Sequence, residues 1–162
     1  MKLNGKTVVI IGGSQGFGRS VAECLIKEGS RVIIVSKSKD RLHKTADEIG
    51  ATSYVADVRD EQSLRDVAKS VLAEFGAIDI WVNSAGVFMK FPPVDLLDMD
   101  RAHELFDVNF FGVVLGSRTA LLNMKDGVIL NVLSSAALDA TRSVGAKLYA
   151  ASKWAVRGLS PS

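Results

Sequence analysis

Short apolar runs alternate along the chain with stretches whose apolar residues recur every three or four positions. The run TVVIIGG (7–13) is β-branched and closes on glycines, which predicts a strand buried on both faces. FGRSVAECLIKEG (17–29) follows with helical spacing and Gly29 as a stop signal. RVIIVS (31–36) predicts a second strand, KDRLHKTADEIG (39–50) a second helix, and TSYVADV (52–58) a third strand. The next helix, DEQSLRDVAKSVLAEFG (60–76), opens on acidic residues, as the positive end of a helix dipole favours. IDIWVNSAG (78–86) predicts a fourth strand, and FMKFPPVDL (88–96), with its proline pair, a loop. A long helix over 98–124, a fifth strand over 127–135 and a last helix from about Ala146 complete the pattern.

Buried strands joined by crossover helices imply a doubly wound α/β fold: a parallel sheet with helices on both faces. Ligands of such sheets bind at the carboxyl ends of the strands, so the residues just after each apolar run are the ones to read for chemistry. No repeat, linker or low-complexity stretch interrupts the pattern, which predicts one domain over residues 1–162.

Composition narrows the classes. At 162 residues, 48% hydrophobic and 23% charged, the chain is long and apolar enough to build a core without disulfide or metal support. Its net charge of +2 is spread out and argues for neither a nucleic-acid nor a membrane-surface partner. The basic stretch KDRLHK has no aromatic residue for bases to stack on. Cys24 is the single cysteine, so no internal disulfide can form; its neighbours Val21, Ala22, Leu25 and Ile26 predict a buried core thiol. His43 and His103 have no partner at metal-ligand spacing. The N-terminus lacks the run and flanks of a signal peptide, no stretch reaches transmembrane length, and a cytoplasmic location is the expectation.

Chemistry enters at GGSQGFG, between the first strand and the first helix. Glycines there let backbone N–H groups approach a phosphate at a helix N-terminus; the alternative is a plain turn. A second candidate lies near the other end, where Tyr149 and Lys153 stand four residues apart and share a helix face. A phenol with a pKa near about 10 is a poor acid–base group until a cation stabilises its phenolate. The alternative is an ordinary surface pair.

Taken together, these stretches resemble the short-chain dehydrogenase/reductase family. Gly12-x-x-x-Gly16-x-Gly18 is similar to the family's glycine pattern, WVNSAG (81–86) to its NNAG element, and DVNFFG (107–112) to its helix asparagine element. NVLSS (131–135) is similar to the segment bearing its active-site serine, and YAASK (149–153) to its Tyr-x-x-x-Lys signature. The resemblance spans Lys6 to Leu159. It implies an NAD(P)-binding Rossmann fold with strand order 3-2-1-4-5, and hydride transfer between nicotinamide and a carbonyl or secondary alcohol on a small or lipid-like substrate. It implies Tyr149 as proton donor, Lys153 as the partner of the tyrosine and of the nicotinamide ribose, Ser135 as a hydrogen-bond partner of the reacting oxygen, and Asn109 as the holder of a water. Ser134 is the weaker candidate for the serine, because neighbouring strand residues face opposite ways. For the cofactor it implies the glycine loop (Gly12, Ser14, Gln15, Gly16, Phe17, Gly18), then Ser36 and Lys37, Asp57 and Val58, and Asn83, Ala85 and Gly86, with Tyr149 and Lys153.

Three positions depart from the family pattern: Ile11 stands for the threonine before the first glycine, Ser84 for the second asparagine, and the Ser135–Tyr149 spacing of 14 is one residue long. The end of the second strand reads Ser36-Lys37, without the acidic residue that binds ribose hydroxyls in NAD-preferring relatives, so NADP(H) is expected, with NAD(H) as the alternative. Phe88, Met89, Phe91 and the prolines either line a substrate pocket or cap the core. Relatives commonly pair through the helices that match 98–124 and 146–160, which implies a homodimer or homotetramer, with Trp154 and Val156 adding to the surface. The family continues beyond its Tyr-x-x-x-Lys helix into a substrate-covering part, expected to be missing here and to leave the fifth strand as an open edge. The rival functional reading is a truncated nucleotide-binding module without turnover.

Overall fold

Apolar residues of alternating facing decide the architecture. The computed structural model describes residues 3–138 and 145–159. The strands β1 (Thr7–Ile11), β2 (Arg31–Ser36), β3 (Thr52–Val55), β4 (Ile80–Asn83) and β5 (Val128–Asn131) form one parallel sheet in the order β3-β2-β1-β4-β5, the expected order. Val9, Ile11, Ile33, Val35 and Trp81 pack on one face against α3 (Glu61–Phe75) and α5 (Gly112–Asn123). Val8, Ile10, Val32, Ile34, Ile80 and Val82 pack on the other against α1 (Gly16–Lys27) and α2 (Lys39–Ile49). Every residue of β1 is buried, which is why its sequence reads as an unbroken apolar run. The predicted strands ran on past the observed ones at residues 12–13, 56–58, 84–86 and 132–135, and those excess residues form the loops at the carboxyl edge.

A third, smaller core stands beyond that edge. Phe91, Ala102 and Leu105 are buried there, with Val87, Met89, Leu148 and Tyr149 packed against them. It joins the loop after β4 to α4 (Met99–Phe106) and α6 (Lys147–Leu159). At the opposite edge the Asp79 carboxylate accepts from Lys6 Nζ (2.7 Å) and the Thr7 amide (2.8 Å), which ties the starts of β1 and β4 together.

Four expectations need correction. The helix expected over 98–124 is not uniform: a π turn at Asp107–Phe111 separates α4 from α5, and its closing Gly112 amide donates to the Asp107 carbonyl, five residues back. That helical run, Met99–Asn123, is also 25 residues long and contains an 18-residue window with a mean hydropathy of 1.3, so one stretch does reach transmembrane length. It is a helix of the fold, packed against α3, α6 and the sheet, and its apolarity serves those contacts. Cys24 is exposed, because it lies two residues (about 200° of helix rotation) beyond the core-facing Ala22. Val156 is fully buried and adds nothing to an outer surface, whereas Trp154 is exposed.

Candidate active site

At the carboxyl ends of β1, β2, β4 and β5 lies one cleft of about 890 Å³. Its floor is the glycine loop. Gly12 has φ +87°, and a Cβ there would stand 2.5 Å from the Ala85 amide nitrogen; one on Gly18 would stand 2.4 Å from the Gly12 carbonyl. Both contacts are shorter than any side chain tolerates, so the loop lies flat against the end of β4 because these positions are glycine. The Gly12 amide donates to the Val35 carbonyl (2.7 Å), Ser14 Oγ to Ser36 Oγ (3.0 Å), and Thr45 Oγ1 to the Ser14 carbonyl (2.9 Å). The loop is thereby fixed to β2 and α2 although Ile11 stands in place of threonine. Helix α1 starts beside it with no side-chain cap at Gln15, whereas α3 and α4 are capped by Asp60 and Asp98. The first-turn amides of α1 keep their hydrogen-bonding capacity at the cleft.

Ser36, Lys37, Asp57 and Val58 line the cleft beyond the loop, as do two residues that sequence reasoning passed over, Ser38 and Arg41. Arg41 sits one turn into α2 and donates to Ser38 Oγ (2.9 Å). Its signal in the sequence is the basic spacing of KSKDR, residues 37–41. The Arg59 guanidinium holds the Asp57 carboxyl below the usual carboxylate range against the opposing effect of burial, and the Lys37 charge adds to the lowering.

The other end of the cleft is built from β4, the π turn and α6. Lys153 is only 5% exposed, and its ammonium donates to the Val132 carbonyl (3.1 Å). Burial pushes its pKa down, since few groups there repay the lost hydration. Asn109, wholly buried, donates to the Val87 carbonyl (2.9 Å) and accepts from the Val87 amide (2.8 Å). It also donates to Ser152 Oγ (3.2 Å), which in turn donates to the Tyr149 carbonyl (2.7 Å). A Cβ on Gly86 would lie 3.3 Å from Asn109 Oδ1 and 3.5 Å from Lys153 Nζ, so three expected site residues converge on one point. Tyr149 lines the cleft with its ring edge-to-face against Phe88, centroids 5.0 Å apart.

Gly12, Ser14, Gln15, Gly16, Phe17, Gly18, Ala85, Gly86, Tyr149 and Lys153 therefore share the cleft with the β2 and β3 residues. Asn83, Asn109 and Ser135 do not line it. Asn83 is spent on internal structure: it accepts from Trp81 Nε1 (2.9 Å) and donates to Ser117 Oγ (3.0 Å) and Asn131 Oδ1 (2.8 Å). Asn109 acts from behind Gly86. Ser135 is exposed and begins a short 3₁₀ turn, while Ser134 is half-buried and caps that turn, accepting from the Ala136 amide (3.2 Å). The alternatives for the loop after β4 are divided: Phe91 and Met89 belong to the small core, and Phe88 to the cleft.

A parallel sheet of this order, with a glycine loop leading into the first helix and a cleft across the strand ends, defines a dinucleotide-binding protein. The chain belongs to the short-chain dehydrogenase family, whose family model matches residues 6–162. It is 34% identical to a sorbitol dehydrogenase of Cereibacter sphaeroides over all of this chain and 64% of that one. It is 36% identical to the oxidoreductase UcpA of Escherichia coli, covering 99% of this chain and 63% of the relative. An NADP-dependent 3-hydroxy acid dehydrogenase, YdfG of Shigella flexneri, is 31% identical over 94% of this chain and 63% of its own. The ligand-free aldohexose dehydrogenase of Thermoplasma acidophilum superimposes with a TM-score of 0.86 at 31% identity, covering 97% of this chain and 59% of that one. The chain thus spans under two thirds of the length of these relatives.

Proposed function

We propose that this chain carries the cofactor-binding and proton-transfer parts of an NADP(H)-preferring oxidoreductase that interconverts a carbonyl and a secondary alcohol. The observation that carries the reading is that the glycine loop, Tyr149 and Lys153 share one cleft, with Asn109 meeting Lys153 at Gly86. The cradle fits a dinucleotide: flat glycine backbone and uncapped helix amides suit a pyrophosphate, and Ser36, Lys37 and Arg41 suit a ribose 2′-phosphate. Asp57 and Val58 line the same cleft and would hold the adenine end. Nicotinamide, when bound, supplies or accepts the hydride.

The protein's own groups manage the proton. Tyr149 gives the phenolic proton to the carbonyl oxygen in reduction and takes it back in oxidation. The Lys153 ammonium stabilises the phenolate that results and binds ribose hydroxyls. Asn109 holds Val87, and with it the cleft wall, and lies near Lys153 at Gly86. Ser135 is proposed as the second donor to the reacting oxygen, with Ser134 as the other candidate, although neither lines the cleft; alanine at each decides between them by which one lowers kcat.

Fluorescence titration of nicotinamide cofactors followed by turnover on a panel of carbonyls tests the reading. Tyr149→Phe should abolish turnover and leave cofactor affinity within about twofold, since only a hydroxyl is removed. A fully active Tyr149→Phe protein, or a wild type that binds neither cofactor, would overturn it. Cofactor binding with no turnover would reassign the chain to the nucleotide-binding module.

A further inference from the structure

We infer that Phe88 is the specificity-determining side chain of the cleft, and that it selects carbonyls and secondary alcohols bearing an apolar, preferably aromatic, substituent over aldoses and polyols. The inference rests on Tyr149 being the proton donor. Phe88 is 61% exposed although its neighbours are anchored: Val87 is held by both hydrogen bonds to Asn109, and Met89 and Phe91 are packed into the small core. A single exposed apolar side chain is ordinary, but this one stands in the cleft with Tyr149 and Leu133, and the three give it an apolar wall. The ring does not fill the core; it lines the cleft edge-to-face with the Tyr149 ring, at 5.0 Å and 74°. A carbonyl whose oxygen bonds the Tyr149 hydroxyl brings one of its two substituents within reach of that ring. Leu133 lines the same cleft from the end of β5 and is itself part-exposed. An aryl or alkyl substituent buries this surface, whereas a hydroxylated one would lose hydration against it without a hydrogen-bond partner from Phe88 or Leu133.

The test is equilibrium binding of acetophenone and of glucose to protein saturated with the redox-inert analogue 1,4,5,6-tetrahydro-NADP, so that neither the ketone nor the sugar can react. Calorimetry would be run on wild type, Phe88→Ala and Phe88→Leu; the exposed ring lies outside the core, so the variants should fold. Acetophenone affinity should fall roughly threefold to tenfold in Phe88→Ala and less in Phe88→Leu, with affinity for the analogue unchanged. Glucose should bind more weakly than acetophenone and respond to neither variant. Equal acetophenone affinity in wild type and Phe88→Ala, or tighter binding of glucose, overturns the inference while the cofactor reading stands. Failure of the analogue itself to bind overturns both.

Discussion

Lys153 illustrates how a single residue trades stability for chemistry. Its ammonium is almost wholly buried with a backbone carbonyl as hydrogen-bond partner, and its pKa is lowered by that burial. A basic group with a depressed folded pKa destabilises the fold at every pH below that pKa, and the cost disappears once pH exceeds the unfolded value of about 10.4. Lys153→Met, which keeps the stem and removes the charge, should therefore melt at a higher temperature than wild type at pH 7, with the difference vanishing near pH 10–11. Scanning calorimetry at the two pH values checks this; a lower melting temperature at pH 7 would contradict it. The same variant should bind cofactor more weakly. At the other end of the cleft, Lys37→Asp should cost NADPH roughly 1.5–3 kcal/mol, about tenfold to 150-fold in affinity, and leave NADH little changed. Calorimetric titration of both cofactors decides it, and equal wild-type affinities for the two would remove the basis for an NADP(H) preference.

Among the elements, the π turn at Asp107–Phe111 does the most positioning. It carries Asn109 into the buried space behind Gly86, where the carboxamide satisfies both backbone groups of Val87. Wide helical turns of this kind recur at functional sites, and no periodicity in DVNFFG announces one, since the segment is apolar on several sides. Asn109→Leu keeps the volume but leaves two backbone groups and Ser152 short of a partner. Urea unfolding should show a loss of roughly 2–6 kcal/mol, from about 1–3 kcal/mol for each of the two orphaned backbone groups, and cofactor affinity should fall with it. A stability within 0.5 kcal/mol of wild type, roughly the size of an ordinary surface substitution, would mean the clamp is dispensable.

At the scale of the whole molecule, two apolar surfaces have no cover among the described residues. The edge strand β5 pairs with β4 on one side and exposes Val128 and Leu130. The helical run and α6 expose Phe111, Leu121, Leu122 and Trp154. Exposed strand edges and contiguous apolar patches recruit further chains, and two-fold pairing is the commonest outcome. Light scattering at micromolar concentration should give a dimer or larger species; the mass of a stable monomer would refute this. Leu130→Lys should reduce any association that runs through the edge strand and leave pairing through the helices intact, a difference that sizing chromatography reads directly.

The sequence alone determined the fold. Uninterrupted apolar runs can be satisfied only by strands covered on both faces, and glycines between a strand and a helix can lie only at the carboxyl edge of such a sheet. The order of the five strands followed from family resemblance, whereas the glycine loop and the Tyr149–Lys153 pair stood out in the residues themselves and share one cleft. Tertiary structure decided which side chain points where once several elements meet. It turned Asn83 inward to serve Trp81, Ser117 and Asn131, brought Arg41 round from α2 to join Lys37, and separated Phe88 from Met89 and Phe91. It also exposed Cys24 and buried Val156, though both lie in helices that the pattern located. A repeat of 3.6 or 2 residues records which face of an element is apolar. It holds no record of which neighbouring element arrives at a loop, and the cleft is made of loops.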